Sequence, residues 1–195
     1  MKFTINEDVF QKIRFLDKYM ANHKGFIAGG CFKNIFKAQK TKDIDVWFES
    51  SKDYDEALKY FKESKDFASS YQNDNVTAFR DKSNGLLIEL IKKIYGSPKE
   101  IISKFDFSIT RFSYYKNKET GAYEMLYVNS FFEHLVNNKL VIDSELIFPI
   151  SSFERSYKYR AYGFGLCKTS KEKLIQALQG VSTDNLSKDL YFGLD

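Results

Sequence analysis

Cysteine, histidine and proline are scarce, with two of each in 195 residues. Cys31 and Cys167 form no metal-ligand spacing. They are therefore expected to be free thiols in a reducing, cytoplasmic compartment rather than a disulfide framework or a thiolate metal centre. His23 and His134 are too few for a His-rich zinc site. No apolar run approaches the ~20 residues of a membrane span, so no membrane partner is expected. MKFTINEDVF lacks the apolar core of a signal peptide. Internal repeats, low-complexity tracts and long linkers are also missing.

What is present is an ordinary globular share of hydrophobic residues, 43%, with abundant Phe and Tyr, enough to build a core. The net charge of +4 suits a nucleic-acid partner, but it equally describes a solvated basic surface. The bias toward Lys, Asn, Ile, Phe and Tyr is that of an AT-rich coding origin, in keeping with a phage-encoded or mobile-element protein.

The pattern of elements reads as α+β. Asn6 is placed to cap a helix in which Val9, Ile13, Leu16 and Met20 recur at helical spacing. FIA (26–28) reads as a short buried strand, Gly29-Gly30 as a turn, and CFKNIFKAQ as a short helix. DIDVWFE (43–49) alternates as a strand, and a helix follows from the Ser at its cap, with Tyr54, Leu58 and Phe61 on one face. Strands are expected at 75–80 and 85–92. Ser97 and Glu100 form a capping box, and a hairpin is expected from 105–115 and 122–129. After 130 the pattern is helical, with Ser151-x-x-Glu154 and Thr169-x-x-Glu172 as further capping boxes. A mixed sheet flanked by helices over residues 1–130 and a small helical region over 131–195 are the expected divisions.

Three acids stand out. Asp43 and Asp45 project from one face of their strand and repel unless a cation lies between them. Glu89 sits in LLIELI, apolar on both sides, where a lone carboxylate is costly without a partner. If the two strands are neighbours, the three acids bracket two divalent metals as in-line phosphoryl transfer requires, Mg²⁺ or Mn²⁺. The bland readings are a solvated edge strand for the aspartates and a salt bridge to Arg80, Lys92 or Lys93 for Glu89. Gly29 and Gly30 let backbone N–H groups approach a phosphate, and Lys33 lies one turn into the next helix.

In this order the residues resemble the nucleotidyltransferase superfamily of DNA polymerase beta, and more closely the head and neck of bacterial-type CCA-adding enzymes and poly(A) polymerases. Gly29, Gly30, Lys33, Asn34, Asp43 and Asp45 fall on that family's head motif, with Lys33 for its Arg and Asn34 for its Asp. Asp106-Phe107-Ser108-Ile109 resembles a further motif, in which Phe105 stands where the family has Arg. Arg155 and Lys158, then Arg160 and Gly163-Phe164, resemble the neck. The resemblance spans residues 25–167. It implies a nucleotidyltransferase-type sheet, with catalytic and metal-holding roles for Asp43, Asp45 and Glu89. It implies nucleotide contacts at Gly29, Gly30, Lys33, Asp106, Arg155 and Lys158, with ATP or CTP as the NTP. The acceptor hydroxyl is an RNA 3′ end by slight preference, or that of a protein or small molecule. Asn34 and Phe105 motivate a second reading, a degenerate module that binds nucleotide, RNA or a protein partner. A third is a structural or inhibitory protein that uses exposed aromatics.

Overall fold

The computed structural model describes residues 7–181, with side chains from residue 10 onward. The Asn6 cap and the Val9 side chain lie outside the described residues. Two compact units result. The first runs to Ile102 and adds Phe112–Tyr127; the second comprises Ser103–Arg111 and resumes at Val128.

The first unit opens with α1 (Glu7–Ile13), which passes into a 3₁₀ turn over Arg14–Tyr19 rather than continuing as one α-helix. Ile13, Leu16 and Tyr19 are all buried, and a three-residue repeat suits three residues per turn. Then follow β1 (Phe26–Ala28), α2 (Cys31–Phe36), β2 (Asp43–Trp47), α3 (Ser51–Glu63), β3 (Phe67–Gln72), β4 (Val76–Asp81) and β5 (Leu87–Ile91). Next come α4 (Pro98–Ser103), β6 (Phe112–Lys116) and β7 (Tyr123–Tyr127). The strands form one seven-stranded sheet in the order β3-β4-β5-β2-β1-β6-β7. It is mixed because β2 and β5 are parallel and the other pairs antiparallel.

One face of β2, β5 and β4 is apolar: Ile44 pairs with Ile88 and Ile88 with Phe79, while Val46 pairs with Leu90 and Leu90 with Thr77. α3 lies against this side. Tyr54 hydrogen-bonds Thr77 at 2.8 Å, and the Phe61 ring packs on Phe67 and Phe79 at 4.6 and 5.3 Å. Ser50 caps α3 by accepting from the Asp53 N–H, and Ser97 and Glu100 make the reciprocal capping contacts of α4.

β3 carries no alternating apolar signal, since only Phe67 in it is buried, and the sequence pattern alone did not mark it. The expected strand over 105–111 is corrected: Ser108–Thr110 is a 3₁₀ turn, with the Thr110 hydroxyl donating to the Phe107 carbonyl, and the hairpin begins at Phe112.

The second unit is mostly helical, with α5 (Phe131–Val136), α6 (Pro149–Ala161) and α7 (Lys168–Gln179). A small parallel pair joins β8 (Lys139–Leu140) to β9 (Gly165–Leu166). Neither expected capping box forms here. Pro149 occupies the first turn of α6, which places Ser151 and Ser152 inside the helix, buried. α7 starts at Lys168, with Cys167 at its N-cap, and the Ser170 hydroxyl accepts from the Ile142 N–H.

Candidate functional site

Asp43 and Asp45 lie on the sheet face opposite α3. The parallel register of β2 and β5 sets Asp45 directly beside Glu89, and the β5–β4 register sets Glu89 beside Ala78. Ala78 is in turn opposite Tyr71 on β3. One row therefore crosses four strands: Asp45, Glu89, Ala78, Tyr71. Because Ala78 is short, the Tyr71 hydroxyl reaches over it and donates to Glu89 Oε1. Burial, the bond to Glu89 and the charges of Glu89, Asp43 and Asp45 all push the Tyr71 phenol well above its ordinary value.

Tyr71 reaches this face through an irregularity. Ser69 pairs with Phe79 and Tyr71 with Ala78, so β3 advances two residues while β4 advances one. In an even ladder, Ser70 would face Ala78 and Tyr71 would project from the α3 side. The bulge reverses its direction. Sequence reasoning did not find Tyr71, because neither the strand nor its bulge leaves an apolar period to read.

Beside the row, the glycine turn links β1 to α2. Gly29 has φ 115°, a conformation that favours glycine, and its N–H donates to the Phe112 carbonyl at 3.1 Å. Gly30 follows at φ −68° as the N-cap of α2. The Trp47 indole N–H donates to the Ala28 carbonyl at 3.1 Å, fixing the end of β1 against β2. Cys31, buried in α2, senses the acids: burial first, then the charges of Asp45 and Asp43, push its thiol well above the ordinary value. Lys33 is only 3% exposed, and its ammonium donates to the Asn34 side-chain carbonyl.

A hard divalent cation is matched by this donor chemistry, since Mg²⁺ takes carboxylate oxygens, one or two from the protein with the remainder from phosphates and water. Asp43 is exposed and Asp45 partly so, as such a ligand pair requires. Glu89 shares the row, with one oxygen engaged by Tyr71. Among the described residues, no group of three or more His, Cys, Asp and Glu is arranged to hold a metal ion. The fit therefore rests on the two aspartates.

The remaining expected site residues lie in the second unit. Asp106 is buried, and its Oδ2 accepts from the Ser152 hydroxyl and from Arg155 Nη2, both at 2.5 Å. Ser152 and Arg155 are three residues apart on α6 and share its face toward Asp106. Lys158, one turn further along, is exposed. Two arginines of this unit each hold an acid: Arg155 pairs with Asp106, and Arg111 pairs with Asp143 at 2.6 Å.

Over 95% of its length the chain resembles a CCA-adding enzyme solved with ATP, at TM-score 0.65 and 17% identity, covering 47% of that chain. The Thermotoga maritima CCA-adding enzyme complexed with tRNA gives TM-score 0.59 at 16% identity, over 95% of this chain and 47% of that one. A tRNA nucleotidyltransferase complexed with a primer tRNA and an incoming ATP analogue gives 0.58 at 17%, over 90% and 53%. The chain thus has a nucleotidyltransferase fold and spans about half the length of these enzymes. Among curated proteins, "Gabija anti-defense 2" of Bacillus phage SPbetaL7 is 25% identical over 142 residues, 72% of this chain and 34% of that protein. The chain spans about a third of this relative's length. The model of the Gabija anti-defense 2 family matches residues 4–138, most of the sequence, and the chain belongs to that family.

Proposed function

We propose that the chain is a metal-dependent nucleotidyltransferase with a phage anti-defense role, the role its family name carries. It transfers NMP from an NTP to an acceptor hydroxyl with release of pyrophosphate. The observation that carries this reading is the shared face of Asp43, Asp45 and Glu89, set by the parallel β2–β5 register beside the glycine turn. Asp43 and Asp45 would hold Mg²⁺ or Mn²⁺, with Glu89 assisting. When bound, the ion supplies charge neutralisation for the phosphates and lowers the barrier to in-line displacement. Gly30 and Lys33 are the proposed phosphate contacts of the first unit, and Arg155 and Lys158 are proposed phosphate contacts on α6 of the second. ATP or CTP is the proposed donor, and an RNA 3′ end is preferred over a protein hydroxyl as the acceptor, because the similar structures named above include ATP and tRNA complexes.

Incubation of the protein with each α-labelled NTP, Mg²⁺ and a total RNA and protein extract tests this. Label should pass to a macromolecule, and Asp43→Asn/Asp45→Asn should cut the rate by about a thousandfold or more, the scale expected when charge stabilisation of the transition state is lost. Absence of label with every NTP and either metal would sink the transferase reading.

A second reading is a binding module without catalysis. Lys33 bonded within its own helix and the Gly29 N–H engaged by Phe112 favour it. It calls for NTP or partner binding that persists in the double Asn variant.

A further inference from the structure

We propose that a basic cleft in the first unit binds the phosphodiester backbone of a single-stranded nucleic acid. The cleft has a volume of about 710 Å³ and is lined by Lys12, Lys40, Lys42 and Arg80, with Phe15 and Asn84 between them. Among the described residues that line it there is no Asp or Glu. The cations come from separate places in the chain: α1, the loop between α2 and β2, and β4. Convergence from distant segments distinguishes the cleft from the solvated charged face of a single helix.

Among the described residues, none of the three lysines is paired with a carboxylate. Arg80 Nη1 donates to the Gly85 carbonyl at 2.8 Å, which fixes the guanidinium at the cleft without neutralising it. Four like charges around one concavity repel each other until an anion enters. A polyanion with phosphates at regular intervals meets that demand. Phe15 is 49% exposed, a large apolar ring left open among cations. Cationic grooves with an open aromatic ring hold single strands, since the cations follow phosphates and the ring stacks on a base whatever its identity. Asn84 is held in place within the chain, its amide donating to the Tyr19 hydroxyl at 3.0 Å and its carbonyl oxygen accepting from the Leu86 N–H at 2.8 Å. An acidic protein surface would use the cations and leave the ring without a counterpart.

Asp43, Asp45 and Glu89 do not line the cleft. Lys42 immediately precedes Asp43, so the strand that carries the acid pair starts at the cleft wall. The binding itself needs neither NTP nor metal, and is therefore separable from the transferase reading.

Fluorescence anisotropy tests it, using labelled oligouridylate and oligothymidylate of about twelve nucleotides, within the length one such groove covers. Titrations run at several salt concentrations without NTP or metal. The wild type should bind one or both, with affinity falling as salt rises. Lys12→Ala/Lys40→Ala/Lys42→Ala/Arg80→Ala should lose affinity at least about tenfold, and its log–log salt slope should shrink by about 0.7 for each phosphate contact removed. Phe15→Ala should weaken binding about tenfold and leave the slope unchanged. If the fourfold variant is not folded by circular dichroism, Lys40→Glu/Lys42→Glu in the loop serves instead, with the same direction expected. The proposal is overturned by a wild type that binds neither oligonucleotide, by a folded variant with unchanged affinity and slope, or by polyglutamate displacing the strand as well as unlabelled oligonucleotide does.

Discussion

Asp106 and Glu89 are both carboxylates placed among apolar neighbours, and the protein treats them in opposite ways. In the second unit, Asp106 receives a guanidinium and a hydroxyl from α6. In the first unit, Glu89 receives a neutral phenol from Tyr71, while its neighbour across the parallel ladder is another acid, Asp45, with Asp43 two residues away. A third acid, Asp81, resembles Asp106: it is fully buried, and Lys18, Tyr19 and Ser83 donate to it. An acid answered by a cation of its own chain is part of the architecture. Glu89 is met instead by a neutral hydroxyl and stands beside a second acid, and that is how it differs from the other two.

The strongest way to break this comparison is Arg155→Ala. It leaves Asp106 buried without its guanidinium and should cost about 3–5 kcal/mol, the scale for breaking one side of a buried pair. Chemical denaturation measures it. A loss under about 1 kcal/mol, the range of a surface pair, would show that Asp106 is not an architectural acid.

A smaller effect is expected at Asp81 and depends on pH. Burial alone would raise its pKa, but bonds from Lys18, Ser83 and Tyr19 outweigh that and hold it well below the ordinary value of 3.8. The folded chain therefore keeps Asp81 ionised where the unfolded chain takes up a proton. Its contribution is present in full above the ordinary value and is lost as pH falls below it. Asp81→Asn should cost about 2 kcal/mol at neutral pH, in the range for charge-assisted hydrogen bonds, and should flatten the acid side of the stability curve. Urea titrations across a pH series would show both changes.

Tyr71→Phe should have the smallest effect, about 1 kcal/mol or less, the net worth of one hydrogen bond near the surface. It sharpens the comparison through metal. Freed from the phenol, Glu89 should give Mn²⁺ a better site, seen as a several-fold tighter Mn²⁺ titration. Unchanged Mn²⁺ affinity would mean that Glu89 does not serve the same ion as the aspartates.

Local signals account for much of what could be read in advance. The alternation of Ile44 and Val46 with Asp43 and Asp45 announced both a strand and its two faces, and the serine at residue 50 announced α3. Capping was misread at Ser151 and Thr169, because Ser-x-x-Glu and Thr-x-x-Glu also occur just inside a helix; there Pro149 and Cys167 set the starts, and Ser152 turned toward Asp106. Arg155 and Lys158 have cap-independent helical spacing, yet spacing says nothing of the acid waiting for one of them.

The sequence by itself determined the α+β class, the glycine turn that only a positive φ at Gly29 makes, and the identity of the acids. Each depends on residues close together in the chain, through steric limits, strand alternation or the cost of an acid in an apolar run. Only the tertiary structure decided which acids meet. The pairing of β2 with β5 joins residues 44 positions apart, Asp45 with Glu89. A one-residue bulge in an edge strand decided that Tyr71 faces the acids. Ladder register and bulges are properties of two strands together, and neither strand's own sequence contains them.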